Sequence, residues 1–233
     1  MERTVDRQTN GIDAVEIDRQ RGVTVLSFSS PVLSLEVLDK LCSTLEALAA
    51  KRPNRPLVLR STHPSVFLAG AHLAEIANLD ASSSGPYAQR GRRAIRRIED
   101  FPAPTVAAVD GSCAGGGFDL VLACDALIAG PGARFRHPGI RRGLVTGWSG
   151  TTRLPSELGH ANANATLLET RELDRASFSN RGAVLPAAED TLANAIETAR
   201  RLASLDPARW HLWRALRGPR FIDRFHASVV NKL

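Results

Sequence analysis

Between Leu35 and Ala50 the apolar residues Leu35, Leu38, Leu41, Leu45 and Leu48 recur at helical spacing, and Ser34 stands where an N-cap belongs. Shorter apolar runs elsewhere have the length and flanks of strands. Ala14–Arg19 and Val23–Phe28 read as a hairpin through Gln20-Arg21-Gly22. After the breaker Pro53-Asn54, Pro56–Arg60 reads as a buried strand, as do Thr105–Val109 and Ala126–Ala129. Between them the pattern predicts a loop over Ser61–Gly70, a short helix at His72–Ala77 and a helix at Pro86–Glu99 with Ala94, Ile95 and Ile98 on its apolar side. A further apolar helix is predicted at Phe118–Cys124. A turn-rich stretch over Gly130–Gly150 precedes a pattern that is mostly helical from about residue 155 to 231. Alternating strands and helices followed by helices predict an α/β fold. The expected organisation is a flexible leader over 1–12, an α/β core over 13–160 and a helical part over 161–233.

Composition adds little to this but excludes some classes. The chain has 233 residues, enough for one domain to bury a core without disulfides or a structural metal. Cys42, Cys113 and Cys124 form no CxxC pair, which fits a reducing compartment and argues against a secreted disulfide framework. No apolar run reaches the roughly 18 residues of a membrane span, and the first residues carry no signal-like apolar stretch. A cytoplasmic protein without a membrane partner is the expectation. The net charge of +6, carried almost wholly by arginine, suits an anionic partner or reflects genomic composition.

Two segments share one design: strand, small residues, helix start. They are Val66-Phe67-Leu68-Ala69-Gly70-Ala71-His72-Leu73 and Val109-Asp110-Gly111-Ser112-Cys113-Ala114-Gly115-Gly116-Gly117-Phe118-Asp119. Small residues let a ligand approach the backbone closely. One such loop holds an anion or simply turns the chain. Two together can place one N–H each on a developing oxyanion, each donor contributing roughly 3–4 kcal/mol to a transition state. The second loop does not have the spacing of a dinucleotide fingerprint.

Taken in order, the motifs resemble those of the enoyl-CoA hydratase/isomerase (crotonase) superfamily. Phe67-Leu68-Ala69-Gly70-Ala71-His72-Leu73 is similar to F-x-A-G-A-D-L. Pro104 to Leu120 is similar to the family's P-x-(I/V)-A-A-(I/V)-x-G-x-x-x-G-G-G-x-(E/D)-L. Ala123-Cys124-Asp125, Arg134-Phe135 with His137-Pro138-Gly139-Ile140, and Gly147 to Leu154 resemble later family segments. The match runs from about Val23 to Gly159. It implies a crotonase-like spiral of ββα turns with C-terminal helices that build a homo-trimer or hexamer. It implies that the backbone N–H groups of Ala71 and Gly116 polarise a thioester carbonyl, with a CoA chain lying across Ala69, Gly70 and the nearby loop. The CoA thioester would be the substrate, with no further cofactor and no metal.

The chain departs from the pattern at both hydratase glutamates, which would fall at Asp119 and Gly139. Glycine offers no acid or base, and the aspartate carboxylate is drawn back by one carbon, about 1.5 Å. Displacement of a catalytic group by about 1 Å can cost on the order of 10²-fold. Asp119 is the first candidate for a sole acid/base; the plain alternative is a solvated or structural carboxylate. His72 replaces the family's aspartate and is a candidate substrate-binding residue, as an acid or hydrogen-bond donor to a carboxylate, against the expected reading that it faces outward at a helix start. His137 is a second histidine within reach of the pocket, against the ordinary reading of a solvated loop histidine. Trp148 is expected to shape the acyl pocket, and Arg141 and Arg142 to meet an acidic acyl group or solvent. Pro219–Leu233, with Phe221, Phe225 and Lys232, stands where the family's covering helix would be.

Three function classes follow. The first is an acyl-CoA enzyme of the hydratase/isomerase type working through an enolate: isomerisation, decarboxylation or slow hydration. The second is an acyl-CoA-binding partner subunit without turnover. The third is an RNA-binding homologue using Arg92, Arg93, Arg96 and Arg97 on one helical face. Nucleic acid is not the expected partner, because no stacking aromatics interleave these arginines.

Overall fold

The computed structural model describes residues 12–18, 22–178, 184–186 and 190–217. The chain begins with the antiparallel pair β1 (Ile12–Asp18) and β2 (Val23–Phe28), then the short β3 (Val32–Leu33) and α1 (Leu35–Lys51). The side chain of Ser34 caps α1, its Oγ accepting from the Val37 N–H at 3.3 Å. The expected loop after β4 (Leu57–Ser61) instead holds two short strands, β5 (Val66–Leu68) and β6 (Gly70–Ala71), before α2 (Leu73–Ala77) and α3 (Ser84–Glu99). The same happens after β7 (Thr105–Val109), where β8 (Ser112–Ala114) lies inside the glycine-bearing segment ahead of α4 (Gly116–Leu122). It happens again after β9 (Ala126–Ala129), where the turn-rich stretch contains β10 (Arg134–Arg136) and a 3-10 turn at Pro138–Arg142. Then come α5 (Gly150–Leu158) and α6 (His160–Leu168). Each winding is thus strand, short strand, helix, the ββα spiral the motifs imply. Strands of two or three residues are too short to show a period, so composition alone could not reveal them.

The long strands form a six-stranded sheet in the order β1-β2-β4-β7-β9-β12, and the short ones a four-stranded sheet, β11-β10-β8-β5, with β3 and β6 paired separately. Within the part expected to be mostly helical, β11 (Leu173–Asp174) and β12 (Val184–Pro186) are short strands. The chain returns to both sheets before α7 (Thr191–Ala203) and α8 (Pro207–Arg217). The residues 1–11 of the expected leader and the segment Pro219–Leu233 lie outside the described residues.

Period-2 alternation explains why the central strands read as continuous apolar runs. Leu26, Phe28, Leu57, Leu59, Ala107, Val109, Leu127 and Ala129 face the main core, among Phe67, Phe118, Phe135 and Phe178. Their alternates Val23, Val25, Val58, Val106, Ala108, Ala126 and Ile128 form a second core beneath Ala195, Ile196 and Ala199 of α7. Both faces are covered, as parallel sheets require. At the end of this sheet Arg214 of α8 clamps Asp125, donating from Nε to Oδ1 at 2.7 Å and from Nη2 to Oδ2 at 2.5 Å. It also donates to the carbonyls of Phe101 and Ala103, while the Thr105 N–H and hydroxyl reach Asp125 from the other side. No helix among the described residues is long and apolar enough to cross a membrane.

Candidate active site

The parallel pairing of β5 with β8 brings the two glycine-bearing segments side by side. Gly70 has φ +101°, and a Cβ there would stand 2.8 Å from the Ala114 carbonyl oxygen and 3.1 Å from the Gly116 nitrogen. That conformation and that closeness both require glycine. Gly116 opens α4, so its N–H has no partner within the helix. Ala69 and Ala71 from one loop and Gly115 and Gly116 from the other line a single cavity of about 350 Å³. Gly70 itself is buried beneath it and acts through backbone proximity.

The wall opposite is apolar, with Leu73, Ile76, Leu79, Leu144, Val145 and Trp148. Trp148 is 4% exposed, and its indole stands over Gly116 and Gly91, filling the space that side chains at those positions would need. Tyr87 joins this wall with its hydroxyl buried and unpartnered. Burial, with a lesser effect of Glu75, pushes the phenol up to about 12, so it stays neutral and keeps a proton to donate. Arg142 reaches the cavity lining and Arg141 does not.

Asp119 and His137 are both buried, at 0% and 4% exposure, so neither is the solvated group of the plain reading. Asp119 does not reach the cavity surface; His137 and Thr146 do. Behind them, His137 Nε2 lies 2.9 Å from Asp119 Oδ1, and the Thr146 hydroxyl donates to Oδ2 in a very short hydrogen bond. Thr146 Oγ1 also accepts from the Trp148 N–H at 3.3 Å. Gly150, at the start of α5, packs so closely on Asp119 Oδ1 that no side chain would fit. Gly139 lines the cavity but brings no functional group, and a Cβ there would come within 2.9 Å of the Leu144 carbonyl oxygen.

His72 occupies the N-cap of α2 without a side-chain cap bond. It is half exposed, with Nδ1 3.9 Å from Glu75 Oε1, and it is not part of the cavity wall. Sequence reasoning missed Thr146 and Tyr87. Thr146 lies in a loop with no period, and Tyr87 stands in the first turn of α3 amid small and polar residues, so neither carries a local signal.

The arginine face of α3 is largely engaged within the protein. Arg93 and Arg97 both reach Glu46, at 3.0 and 2.8 Å, and Arg92 donates to the Gly147 carbonyl at 3.0 Å.

Comparison with known proteins identifies the family and the fold. The enoyl-CoA hydratase/isomerase family model matches residues 18–215. The mitochondrial methylglutaconyl-CoA hydratase of Rattus norvegicus is 35% identical over 161 residues, covering 67% of this chain and 51% of that protein. A Bacillus subtilis protein named "Probable enoyl-CoA hydratase" is 31% identical over 197 residues, covering 83% of this chain and 76% of its own. The chain thus spans about half the length of the mitochondrial hydratase it matches. Among solved structures, an enoyl-CoA hydratase from Bacillus anthracis aligns with a TM-score of 0.74 at 26% identity, covering 93% of this chain and 81% of that one. The DspI protein of Pseudomonas aeruginosa aligns at 0.78 and 24%, covering 92% and 87%, and shares the fold.

Proposed function

Since the chain belongs to the enoyl-CoA hydratase/isomerase family, we propose that it binds an acyl-CoA in the cavity and acts on it through a thioester enolate. The observation that carries this reading is the convergence of Ala71 and Gly116, from two abutting loops, on one apolar cavity. A thioester carbonyl placed between their N–H groups would have its oxygen polarised and the enolate charge stabilised. Ala69 and the loop behind it would carry the CoA chain, and Leu73, Ile76, Leu79 and Trp148 would take the acyl group. Arg142 at the wall offers a partner to an acyl chain that ends in a carboxylate.

Efficient hydration is not part of this reading. It needs one group to activate water and another to manage the α-proton, and Gly139 supplies neither. The partner-subunit reading has the same observation in its favour. RNA binding loses support, because Arg92, Arg93 and Arg97 are already engaged within the chain. Three buried cysteines, none in a disulfide, favour the reducing cytoplasm as the setting, and the homo-trimer or hexamer implied by the resemblance would be read from light scattering.

The test is incubation of the protein with crotonyl-CoA in heavy water, followed by mass spectrometry, with acyl-CoA binding measured by calorimetry. Binding with deuterium exchange, added water or a shifted double bond supports an enzyme. Binding with an unchanged ligand across short-chain acyl-CoAs favours the partner subunit. No binding overturns the acyl-CoA reading.

A further inference from the structure

We propose that His137 is the acid/base of this site, held in place by Asp119 and Thr146, so that the protein moves a proton between carbons of its acyl-CoA. This rests on the acyl-CoA reading and supplies the group that the two missing glutamates leave unassigned.

The argument is one of access. Among the cavity-lining residues only His137, Tyr87 and Arg142 carry titratable side chains. Arg142 is a permanent cation. Tyr87 keeps its proton, because burial raises its pKa to about 12. Asp119 lies behind the wall, fully buried, with both carboxylate oxygens engaged. His137 alone combines a place on the wall with an imidazole, a side chain that can both take up and return a proton.

The hydrogen bonds then set its tautomer. Thr146 spends its single proton on Asp119 Oδ2, since its own oxygen accepts from the Trp148 N–H. An ionised Asp119 is acceptor-only, so the contact at Oδ1 places the proton on His137 Nε2. A neutral imidazole protonated at Nε2 carries its lone pair on Nδ1, which forms no hydrogen bond among the described residues. Asp119 is therefore a positioning residue. It orients the ring and stabilises the imidazolium that forms when Nδ1 accepts a proton, as a buried carboxylate does in other histidine-based sites.

The step balances without a co-reactant. The Nδ1 lone pair takes a proton from the carbon α to the thioester. The C–H electron pair becomes the bond between the α and carbonyl carbons, and the carbonyl π pair moves onto oxygen, facing the N–H groups of Ala71 and Gly116. The imidazolium returns the proton to the α carbon, giving exchange with solvent, or to the γ carbon of a β,γ-unsaturated chain, giving the conjugated isomer. One histidine serves as base and then as acid, and no water is consumed.

The experiment measures α-hydrogen exchange of butyryl-CoA in heavy water, alongside its Kd by calorimetry, for the wild type, His137→Asn, His137→Gln and Asp119→Asn. The expected result is exchange in the wild type that falls by about 10²-fold or more in both His137 variants, with Kd changed less than about threefold. Asp119→Asn should lower exchange at unchanged Kd. It should also shift the imidazole ¹⁵N resonances away from the Nε2-protonated pattern, a signature that a merely structural carboxylate would not move. Butyryl-CoA binding with exchange undiminished in both folded His137 variants, or binding without any exchange in the wild type, overturns the proposal. Failure of the wild type to bind acyl-CoA overturns the underlying reading, and this one with it.

Discussion

The indole of Trp148 and the missing side chain of Gly116 are complementary: the ring of one occupies the space that a Cβ on the other would need. Gly91 of α3 meets the same ring from another side, so a single tryptophan keys α3 and α4 together at the cavity wall. Gly116→Ala should therefore destabilise the fold by about 1–3 kcal/mol. It should also lower turnover on the order of 10²-fold, because the Gly116 N–H is displaced. Trp148→Phe in the same chain should recover part of the stability, as a double-mutant cycle in urea would show. Strict additivity of the two substitutions would contradict the contact.

Restoring a glutamate where the family pattern has one should not restore hydration. At Gly139 the new Cβ would press on the Leu144 carbonyl oxygen, whose residue also donates its N–H to the Gly139 carbonyl at 3.0 Å. Gly139→Glu is expected to cost about 1–3 kcal/mol by disturbing this turn. No crotonyl-CoA hydration above the wild-type rate should follow. A gain of tenfold or more in hydration would show that the turn accommodates the side chain.

Stability should decline on the alkaline side. Burial raises the thiols of Cys113 and Cys42 above the usual range, and the Tyr87 phenol to about 12. The folded state holds these protons at pH values where the unfolded chain has released them. Their contribution is therefore complete below about pH 8.5 and is lost as pH rises through the folded values, by up to about 1.4 kcal/mol per pH unit for each proton. Urea midpoints at pH 7, 9 and 10.5 would show the decline. Ellman's reagent at pH 8 should meanwhile react with the three cysteines only after denaturation, since all are buried.

Arg214 and Asp125 form a largely buried pair whose loss leaves the partner charge uncompensated. Arg214→Met is expected to lower stability by about 3 kcal/mol or more. Asp125→Asn with Arg214→Met together should cost less than the sum of the two. Chemical denaturation of the three variants decides this.

Much of this architecture was legible in the chain. The strands at 105–109 and 126–129 emerged at their observed limits, because a sheet covered on both faces leaves an unbroken apolar run between polar turns. The short strands β6, β8 and β10 were hidden inside segments that look like loops, since two or three residues have no period to detect, and β5 showed only as the strand that opens the first glycine-bearing segment. The return of the chain at β12 was equally hidden: three residues at a sheet edge are stabilised by their neighbour β9 and not by local pattern. At the site, ordered motifs located Ala69, Ala71, Gly116 and Trp148 on the cavity wall. They could not say that Asp119 lies one layer back, or that His137 stands in front of it. That relation depends on where α4 and the segment after β10 meet in space, across 18 residues of sequence.

The late strand has a consequence for how this protein comes into being. β12 covers the edge of β9 only after residue 184 has been made, α7 then closes the outer face of the sheet, and Arg214 reaches Asp125 across 89 positions. Until the ribosome has delivered those last segments, the nascent chain presents an open parallel edge and an uncovered row of valines to its surroundings. The two glycine-bearing loops are synthesised before residue 120, yet β12, α7 and α8, which cover and clamp the sheet beside them, follow only after residue 183. Chaperone engagement and sensitivity to premature termination should therefore concentrate in the interval between the two.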